Sequence, residues 1–149
     1  MKISVTLLAV FALSCFAVAK EGWTDDLEKA KTQAKAENKK ILLDFTGSDW
    51  CGWCKKLDAE VFSQKEFKDY AAKKLVLVEV DFPRSFKLPD ATKKQNDDLA
   101  KEFKIEGYPT IVVLTPSKKK PGELEKSGEL GYVEGGPKAF IKELEHARK

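Results

Sequence analysis

The sequence contains few of the residues on which most metal sites and hydrolytic active sites depend. Among its 149 residues there are one histidine, one methionine and three cysteines. A closed zinc site requires four ligands, and the chain offers His146 but no second closely spaced cysteine pair. His146 lies on a predicted terminal helix, and the chain has neither a nucleophile elbow nor a glycine-rich phosphate loop. We therefore expect no bound metal, no other cofactor and no serine-hydrolase chemistry.

Long apolar runs are also rare, and the most extended one lies at the N-terminus. Lys2 precedes a largely apolar stretch at 5–16, and Ala-Val-Ala at 17–19 has the small-x-small pattern of a cleavage site. This arrangement is typical of a secretory signal peptide. We expect residues 1–19 to be removed on export and residues 20–149 to form one domain, which is long enough for a single core.

An uncleaved membrane anchor and a lipoprotein signal are the alternatives. The roughly 17 residues at 3–19 reach only the lower limit of the length that spans a bilayer. In a lipoprotein, Ser14-Cys15 would be the processing site, but the two residues before it match that pattern only in part. The cleaved signal remains our interpretation.

Neither sign of charge is in excess. The chain has 27 Lys and Arg against 24 Asp and Glu. Removal of residues 1–19 takes away Lys2 and no acid, which leaves 26 basic and 24 acidic residues and a formal charge of +2. Domains that bind nucleic acid or anionic membranes show a basic patch or a strong positive balance. We therefore expect neither partner, and we expect a monomer.

Cys51 and Cys54 stand two residues apart in the stretch Trp50-Cys51-Gly52-Trp53-Cys54-Lys55 and are the only thiols left after removal of the signal. They follow an apolar run at 41–45 and precede an amphipathic helical pattern. A Cys-x-x-Cys in this strand-to-helix setting is typical of a redox pair. A bridge over so short a loop removes little chain entropy, so the pair would be a poor structural staple.

The start of a helix favours the chemistry of such a pair. Unpaired backbone N–H groups and the positive end of the helix dipole stabilise a thiolate, which is the attacking species. Lowering the pKa of a thiol from about 8.5 to about 7 requires roughly 2 kcal/mol. A helix terminus in a partly buried site supplies up to about 2 kcal/mol. The helix end alone is therefore nearly sufficient to lower the pKa of the thiol by this amount, and Lys55 and Lys56 add a small further stabilisation of the thiolate.

Hydrophobic periodicity predicts the order helix, strand, helix, strand, helix, strand, strand, helix. Apart from Asp44, both faces of the strand at 41–45 are apolar, as in a central strand that is covered on both sides. This order indicates an α/β layered domain whose sheet ends in a hairpin. We predict strands at 41–45, 75–80, 110–114 and 130–133. The helices are predicted at 24–38, after Cys51 with a second segment from 63, at 96–103 and from 136.

Several boundaries are specific predictions. Thr24 is expected to cap the first helix, and residues 63–66 have the pattern of a capping box. Asn96 is expected to cap a short helix after an irregular surface loop at 83–95. That loop is long for a small domain, and the alternative is that it contacts a partner around Phe86 and Leu88.

Over residues 23–145 the sequence resembles the thioredoxin-like family. Three segments carry the resemblance: Leu-Leu-Asp-Phe at 42–45, Trp-Cys-x-x-Cys-Lys at 50–55, and Gly-Tyr-Pro-Thr at 107–110. The last segment is also similar to protein disulfide isomerases, and Ser-Asp-Trp-Cys at 48–51 is similar to soluble domains of bacterial disulfide-interchange proteins. The resemblance implies a thioredoxin-like α/β fold, with a central mixed sheet flanked by helices.

The resemblance also implies roles for the cysteines and for the segment before the third strand. Cys51 would be the exposed nucleophile that forms a mixed disulfide, and Cys54 the resolving thiol that releases the reduced substrate. In the oxidised state the two would form a disulfide. Pro109 corresponds to the cis-proline of the family, which faces the cysteines and, with Tyr108, helps to hold an extended substrate strand. The alternative is a trans proline that begins a strand.

Asp44 corresponds to the buried acid that lies behind the active site in the family. Burial raises the pKa of a carboxyl group, so Asp44 would take a proton from Cys54. The alternative is an aspartate at a strand end that reaches water. Asp44 lies seven positions before Cys51, one more than is usual in thioredoxins, and the added residue falls within 46–50.

Trp50 and Trp53 are the expected substrate-facing aromatic residues. Trp50 would shield the site and shape the docking surface, with core packing as the alternative. Gly52-Trp53 departs from the Gly-Pro of thioredoxins and the Gly-His of disulfide isomerases. Trp53 carries no charge that would stabilise a thiolate, which favours a reducing or middling potential over a strong oxidant.

These observations predict a thiol–disulfide oxidoreductase that acts on protein disulfides outside the cytoplasm, as a reductase or interchange enzyme rather than a strong oxidase. Its partners would be protein substrates with thiols or disulfides and another redox protein that donates or accepts electrons. The alternative is a non-catalytic binding module of thioredoxin fold that keeps the bridge as a structural disulfide.

Overall fold

Strand β2 (Lys40–Thr46) is the centre of a five-stranded mixed sheet in the computed structural model, which describes residues 20–147. The signal peptide predicted at 1–19 lies outside the described residues. The strand order is β1-β3-β2-β4-β5; β1, β3 and β2 are parallel, and β4 and β5 are antiparallel to their neighbours. The other strands are β1 (Trp23–Thr24), β3 (Leu75–Asp81), β4 (Thr110–Pro116) and β5 (Leu124–Leu130).

Five helices cover the two faces of this sheet, as its apolar pattern predicts. Alternate residues of a strand point to opposite faces, so Leu42 packs toward one side and Ile41 and Leu43 toward the other. Helices α2, α3 and α5 cover the face of Leu42, and α1 and α4 cover the opposite face. The helices are α1 (Leu27–Glu37), α2 (Gly52–Leu57), α3 (Lys65–Lys74), α4 (Asp90–Glu102) and α5 (Gly136–Ala147), with a π-helical turn (Asp58–Phe62) directly after α2.

The helix caps predicted at Thr24, Ser63 and Asn96 are wrong. Thr24 is part of β1, where it pairs with Val78, and the cap of α1 is Asp26, whose carboxylate accepts a hydrogen bond from the Lys29 amide at 3.0 Å. Ser63 instead ends the π-helical turn, and its hydroxyl donates a hydrogen bond to the Asp58 carboxylate at 3.3 Å. Helix α3 begins two residues later, at Lys65, without a side-chain cap. The end of α1 lies at Asn38, as predicted, and this residue adopts the left-handed conformation.

The loop predicted at 83–95 is also too long. Helix α4 begins at Asp90, and Asn96 lies buried within it and donates a hydrogen bond to the Asp81 carbonyl at 2.9 Å. Ion pairs of the i,i+4 type stabilise this polar helix, and they join Lys93 to Asp97 and Lys94 to Asp98. The helix has little apolar periodicity, so its first turns were not predicted from the sequence.

The last strand was predicted at 130–133 but lies at Leu124–Leu130. It pairs on one side only, with β4, and its sequence is largely polar, as edge strands often are. Its apolar pattern is therefore weak. Among residues 20–147, no helix has both the length and the apolar composition needed to cross a bilayer.

Candidate active site

The cysteine pair stands at the junction between the loop after β2 and the first turn of α2. Cys51 is the N-cap of α2, and its sulfur accepts a hydrogen bond from the Cys54 amide at 3.2 Å. Cys51 and Cys54 form a disulfide. The helix terminus therefore directs an N–H group at the sulfur of Cys51, which is the arrangement that stabilises a thiolate after reduction.

The expectation of an exposed Cys51 is wrong for this oxidised structure. Its side chain is 6% exposed, against 5% for Cys54. The bridge holds the sulfur of Cys51 against the first turn of α2, and its backbone amide is bound to the Gly47 carbonyl at 2.8 Å. The position at the cap, rather than exposure, distinguishes Cys51 from Cys54.

The approach loop that carries the added residue is fixed by hydrogen bonds to the last residue of β3 and to the segment that follows it. Ser48 donates to the Asp81 carboxylate from its amide at 2.8 Å and from its hydroxyl. The Asp49 carboxylate accepts from the Arg84 amide and from the amide and hydroxyl of Ser85. The Ser85 hydroxyl is the main reason why the pKa of Asp49 lies below its usual value. The residue added within 46–50 therefore lies in a turn that these hydrogen bonds hold in place.

Trp50 connects three segments around the cysteines. Its indole N–H donates to the Phe82 carbonyl at 2.7 Å, and its ring meets that of Tyr108 edge-on with centroids 5.7 Å apart. The guanidinium carbon of Arg84 lies 3.8 Å from the indole centroid. At Gly47 an added Cβ would fall 2.3 Å from the indole, so the loop approaches Trp50 at a position where only glycine fits. Trp50 is half-buried, so it both packs and borders the site.

The segment before β4 reaches the same place. The Tyr108–Pro109 peptide bond is cis, as the resemblance implies. Tyr108 packs against Trp50 and against Phe82, whose ring centroid is 5.4 Å away. The structure therefore brings Tyr108, the residue before the cis bond to Pro109, to the residue that precedes Cys51.

Asp44 lies in the interior, which excludes the alternative of a strand-end acid that reaches water. It is 5% exposed and shares its face of β2 with Leu42, which packs in one cluster with Leu57 and Val61. Its carboxyl therefore faces the layer that contains the cysteine helix. Burial raises the pKa of Asp44 to about 7. Its Oδ1 has no hydrogen-bond partner among the described residues.

Charged groups around Asp44 shift this pKa in both directions. Lys20 lowers the pKa of Asp44, whereas Glu79, Asp58 and Asp81 raise it further. The Lys20 ammonium forms an ion pair with Asp58 and lies over the rings of Trp23 and Phe62. Sequence reasoning missed Lys20 because its position depends on how the segment before β1 folds.

Trp53 is 59% exposed and belongs to a group of four side chains that sequence reasoning did not assemble. Its ring centroid lies 5.1 Å from that of Tyr132, and the Lys56 ammonium lies 5.0 Å from both rings. The Tyr132 hydroxyl is hydrogen-bonded to Glu60. Hydrogen bonding to Tyr132 raises the pKa of Lys56. The i,i+4 spacing of Lys56 and Glu60 was the available signal, but nothing in the sequence placed Tyr132 beside them.

Comparison with known proteins agrees with this arrangement. A profile described as thioredoxin-like matches residues 22–116. The chain belongs to the thioredoxin-like family. It is 33% identical over 121 residues to the disulfide bond reductase DsbH of Chlamydia pneumoniae, a match that covers 81% of this chain and 69% of the reductase.

Solved structures give the same result. A structure titled DsbH oxidoreductase superposes with a TM-score of 0.76 at 29% identity, over 98% of this chain and 94% of that chain. The reduced C-terminal domain of DsbD from Neisseria meningitidis superposes with a TM-score of 0.55 at 25% identity, over 82% of this chain and 94% of that domain. The predicted thioredoxin-like fold is confirmed, and this chain is a member of the thiol:disulfide oxidoreductases with a Cys-x-x-Cys pair.

Proposed function

We propose that this protein reduces or interchanges disulfides of other proteins in an extracytoplasmic compartment. The observation that carries this proposal is the Cys51–Cys54 bridge at the start of α2, with the buried carboxyl of Asp44 on the sheet face that packs against that helix. The sequence similarity to a disulfide bond reductase supports the direction of transfer. The pattern at 1–19 supports the compartment.

Catalysis begins with the reduced pair. The Cys51 thiolate attacks one sulfur of the substrate disulfide, a bond forms between that sulfur and Cys51, and the other substrate sulfur leaves as a thiolate. The Cys54 amide, which lies 3.2 Å from the sulfur of Cys51 in the oxidised structure, stabilises the attacking thiolate.

Resolution requires a second thiolate. The Asp44 carboxylate accepts the proton of the Cys54 thiol, and the Cys54 thiolate attacks the sulfur of Cys51 and displaces the second substrate sulfur. The substrate has then gained two electrons and the Cys51–Cys54 pair has lost them, which gives the disulfide seen in the structure. A pKa of about 7 allows Asp44 both to accept and to release a proton near neutral pH.

The substrate strand lies beside Pro109, with Trp50, Trp53 and Tyr108 as the aromatic contacts. A separate dithiol redox protein returns the two electrons by the same exchange in reverse. Trp53, which carries no charge, supports a reducing rather than strongly oxidising potential, because a cationic residue at that position would stabilise the reduced thiolate further.

The test is reduction of insulin disulfides by catalytic amounts of the protein with dithiothreitol as the electron donor. We expect the wild-type chain to accelerate precipitation of the insulin B chain, and Cys51→Ser to give the rate of dithiothreitol alone. Equal rates for wild type and Cys51→Ser would instead favour a binding module with a structural disulfide.

A further inference from the structure

Trp53 combines exposure with a position that every disulfide substrate must approach. Within residues 20–147 it and Phe86 are the large apolar side chains that remain mostly exposed, at 59% and 51%. Trp53 stands between the two cysteines in sequence, in the first turn of α2. A polypeptide whose disulfide reaches Cys51 therefore passes close to this indole.

The indole is held in place although it is exposed. Tyr132 and Lys56 contact it, and the Glu60 carboxylate accepts a hydrogen bond from the Tyr132 hydroxyl. Tyr132 is also partly buried and packs against the core cluster that contains Leu57 of α2, which restricts its ring further. A surface that is already ordered loses little conformational freedom on binding. We call Trp53, Lys56, Glu60 and Tyr132 the aromatic platform.

The charges of the aromatic platform are matched to each other. The Lys56 ammonium lies 3.9 Å from the Glu60 carboxylate. The two charges balance each other although both side chains remain partly exposed, and the indole of Trp53 is the exposed apolar surface of the platform. Rings and aliphatic side chains pack favourably on such a face.

We propose that the aromatic platform binds an apolar side chain next to the reactive cysteine of a polypeptide substrate, and so makes the enzyme selective for disulfides in apolar sequence. This inference rests on the proposed function and adds to it the class of substrate sequence. Trp53 is the contact residue, whereas Tyr132 and Glu60 are positioning residues that act through it.

The experiment compares three disulfide-linked peptides that differ only at the residue beside the cysteine, which is Leu, Ser or Glu. The reduced full chain is mixed with each peptide, the reaction is quenched with acid, and the released peptide thiol is measured by mass spectrometry. Substitution of Trp53 also changes the thiol chemistry of Cys51 and Cys54. The ratio of the rates of two peptides with the same variant removes that effect, because both peptides react with the same pair of thiols.

We expect the wild-type chain to react roughly 3- to 10-fold faster with the Leu peptide than with the Ser peptide, as a single packed ring contact allows. Trp53→Ala should bring this ratio to about one, and Tyr132→Phe, which keeps the ring but removes the bond to Glu60, should lower it. Tyr70→Phe is the matched control, because it removes a similar bond to Glu145 between α3 and α5 and should keep the wild-type ratio.

Three results would overturn the inference. Equal wild-type rates for Leu and Ser peptides, or an unchanged ratio in Trp53→Ala, would show that the platform does not select apolar sequence. Fastest reaction with the Glu peptide would show that Lys56 attracts an acidic side chain instead. In all these cases the proposed function stands, whereas an absence of exchange with any peptide would overturn the proposed function as well.

Discussion

Cys54→Ser is expected to accumulate stable mixed disulfides between Cys51 and its protein substrates. Without the resolving thiol, the second attack on the sulfur of Cys51 does not occur, and the covalent intermediate persists. Cys51 occupies the helix cap, where the amide of residue 54 remains available to stabilise its thiolate. The adducts would appear on non-reducing gels of cells that produce the variant and disappear when a reductant is added.

The controls separate the roles of the two thiols. Cys51→Ser, which retains Cys54, should trap far less, because the sulfur of Cys54 lies inside the first turn of the helix rather than at its cap. The double variant should trap nothing. Adduct formation by Cys51→Ser as strong as that by Cys54→Ser would reverse the assignment of nucleophile and resolving thiol.

Asp44→Asn is expected to stabilise the folded protein at alkaline pH. Burial raises the pKa of Asp44 from 3.8 to about 7. At a pH between these two values, Asp44 therefore carries a proton in the folded state and has lost it in the unfolded state. The folded state thus loses stability as the pH rises from about 4 to about 7. At about 1.4 kcal/mol per pH unit the loss reaches roughly 4 kcal/mol. Asparagine does not ionise, so the variant should gain about this much relative to wild type between pH 4 and pH 8.

The measurement is the free energy of unfolding of the oxidised protein in denaturant across this pH range. Asp69→Asn, which removes an exposed carboxylate paired with Lys65, is the control for the loss of one negative charge at the surface. A constant difference between wild type and Asp44→Asn at all pH values would contradict a raised pKa for Asp44.

The same substitution should impair catalysis while it raises stability. If Asp44 is the base for Cys54, release of the second substrate thiol should slow roughly 100-fold at pH 7, the usual contribution of a positioned general base. In wild type this rate should rise through the pKa of Asp44, and in Asp44→Asn that inflection should be absent. Rapid quenching of single-turnover reactions measures the step directly.

The features that the sequence predicted well depend on local patterns. The apolar strands at 41–45, 75–80 and 110–114 are central strands whose residues face helices on both sides, so their character is visible without the fold. The cysteine pair was visible for the same reason, because its spacing and its place between a strand and a helix are both local.

The features that the sequence did not predict depend on partners distant along the chain. Helix α4 is polar on most of its surface, so its first turns could not be distinguished from a loop. Tyr132 follows the edge strand β5, and only the antiparallel pairing of β5 with β4 brings it back over α2. Lys20 lies beside Asp58, 38 positions away along the chain, only once the sheet and the π-helical turn have formed.

A redox titration of the Cys51–Cys54 pair is the most direct test of this account. The protein is equilibrated in glutathione or dithiothreitol buffers of defined potential and followed by tryptophan fluorescence, since Trp50 precedes Cys51 and Trp53 lies between the two cysteines. We predict a reversible two-electron transition with a midpoint near or below about −220 mV, in the range of thioredoxin- and glutaredoxin-like reductants. A midpoint between about −180 and −120 mV would instead indicate a disulfide donor or isomerase. The absence of a reversible transition would contradict the catalytic role of the pair.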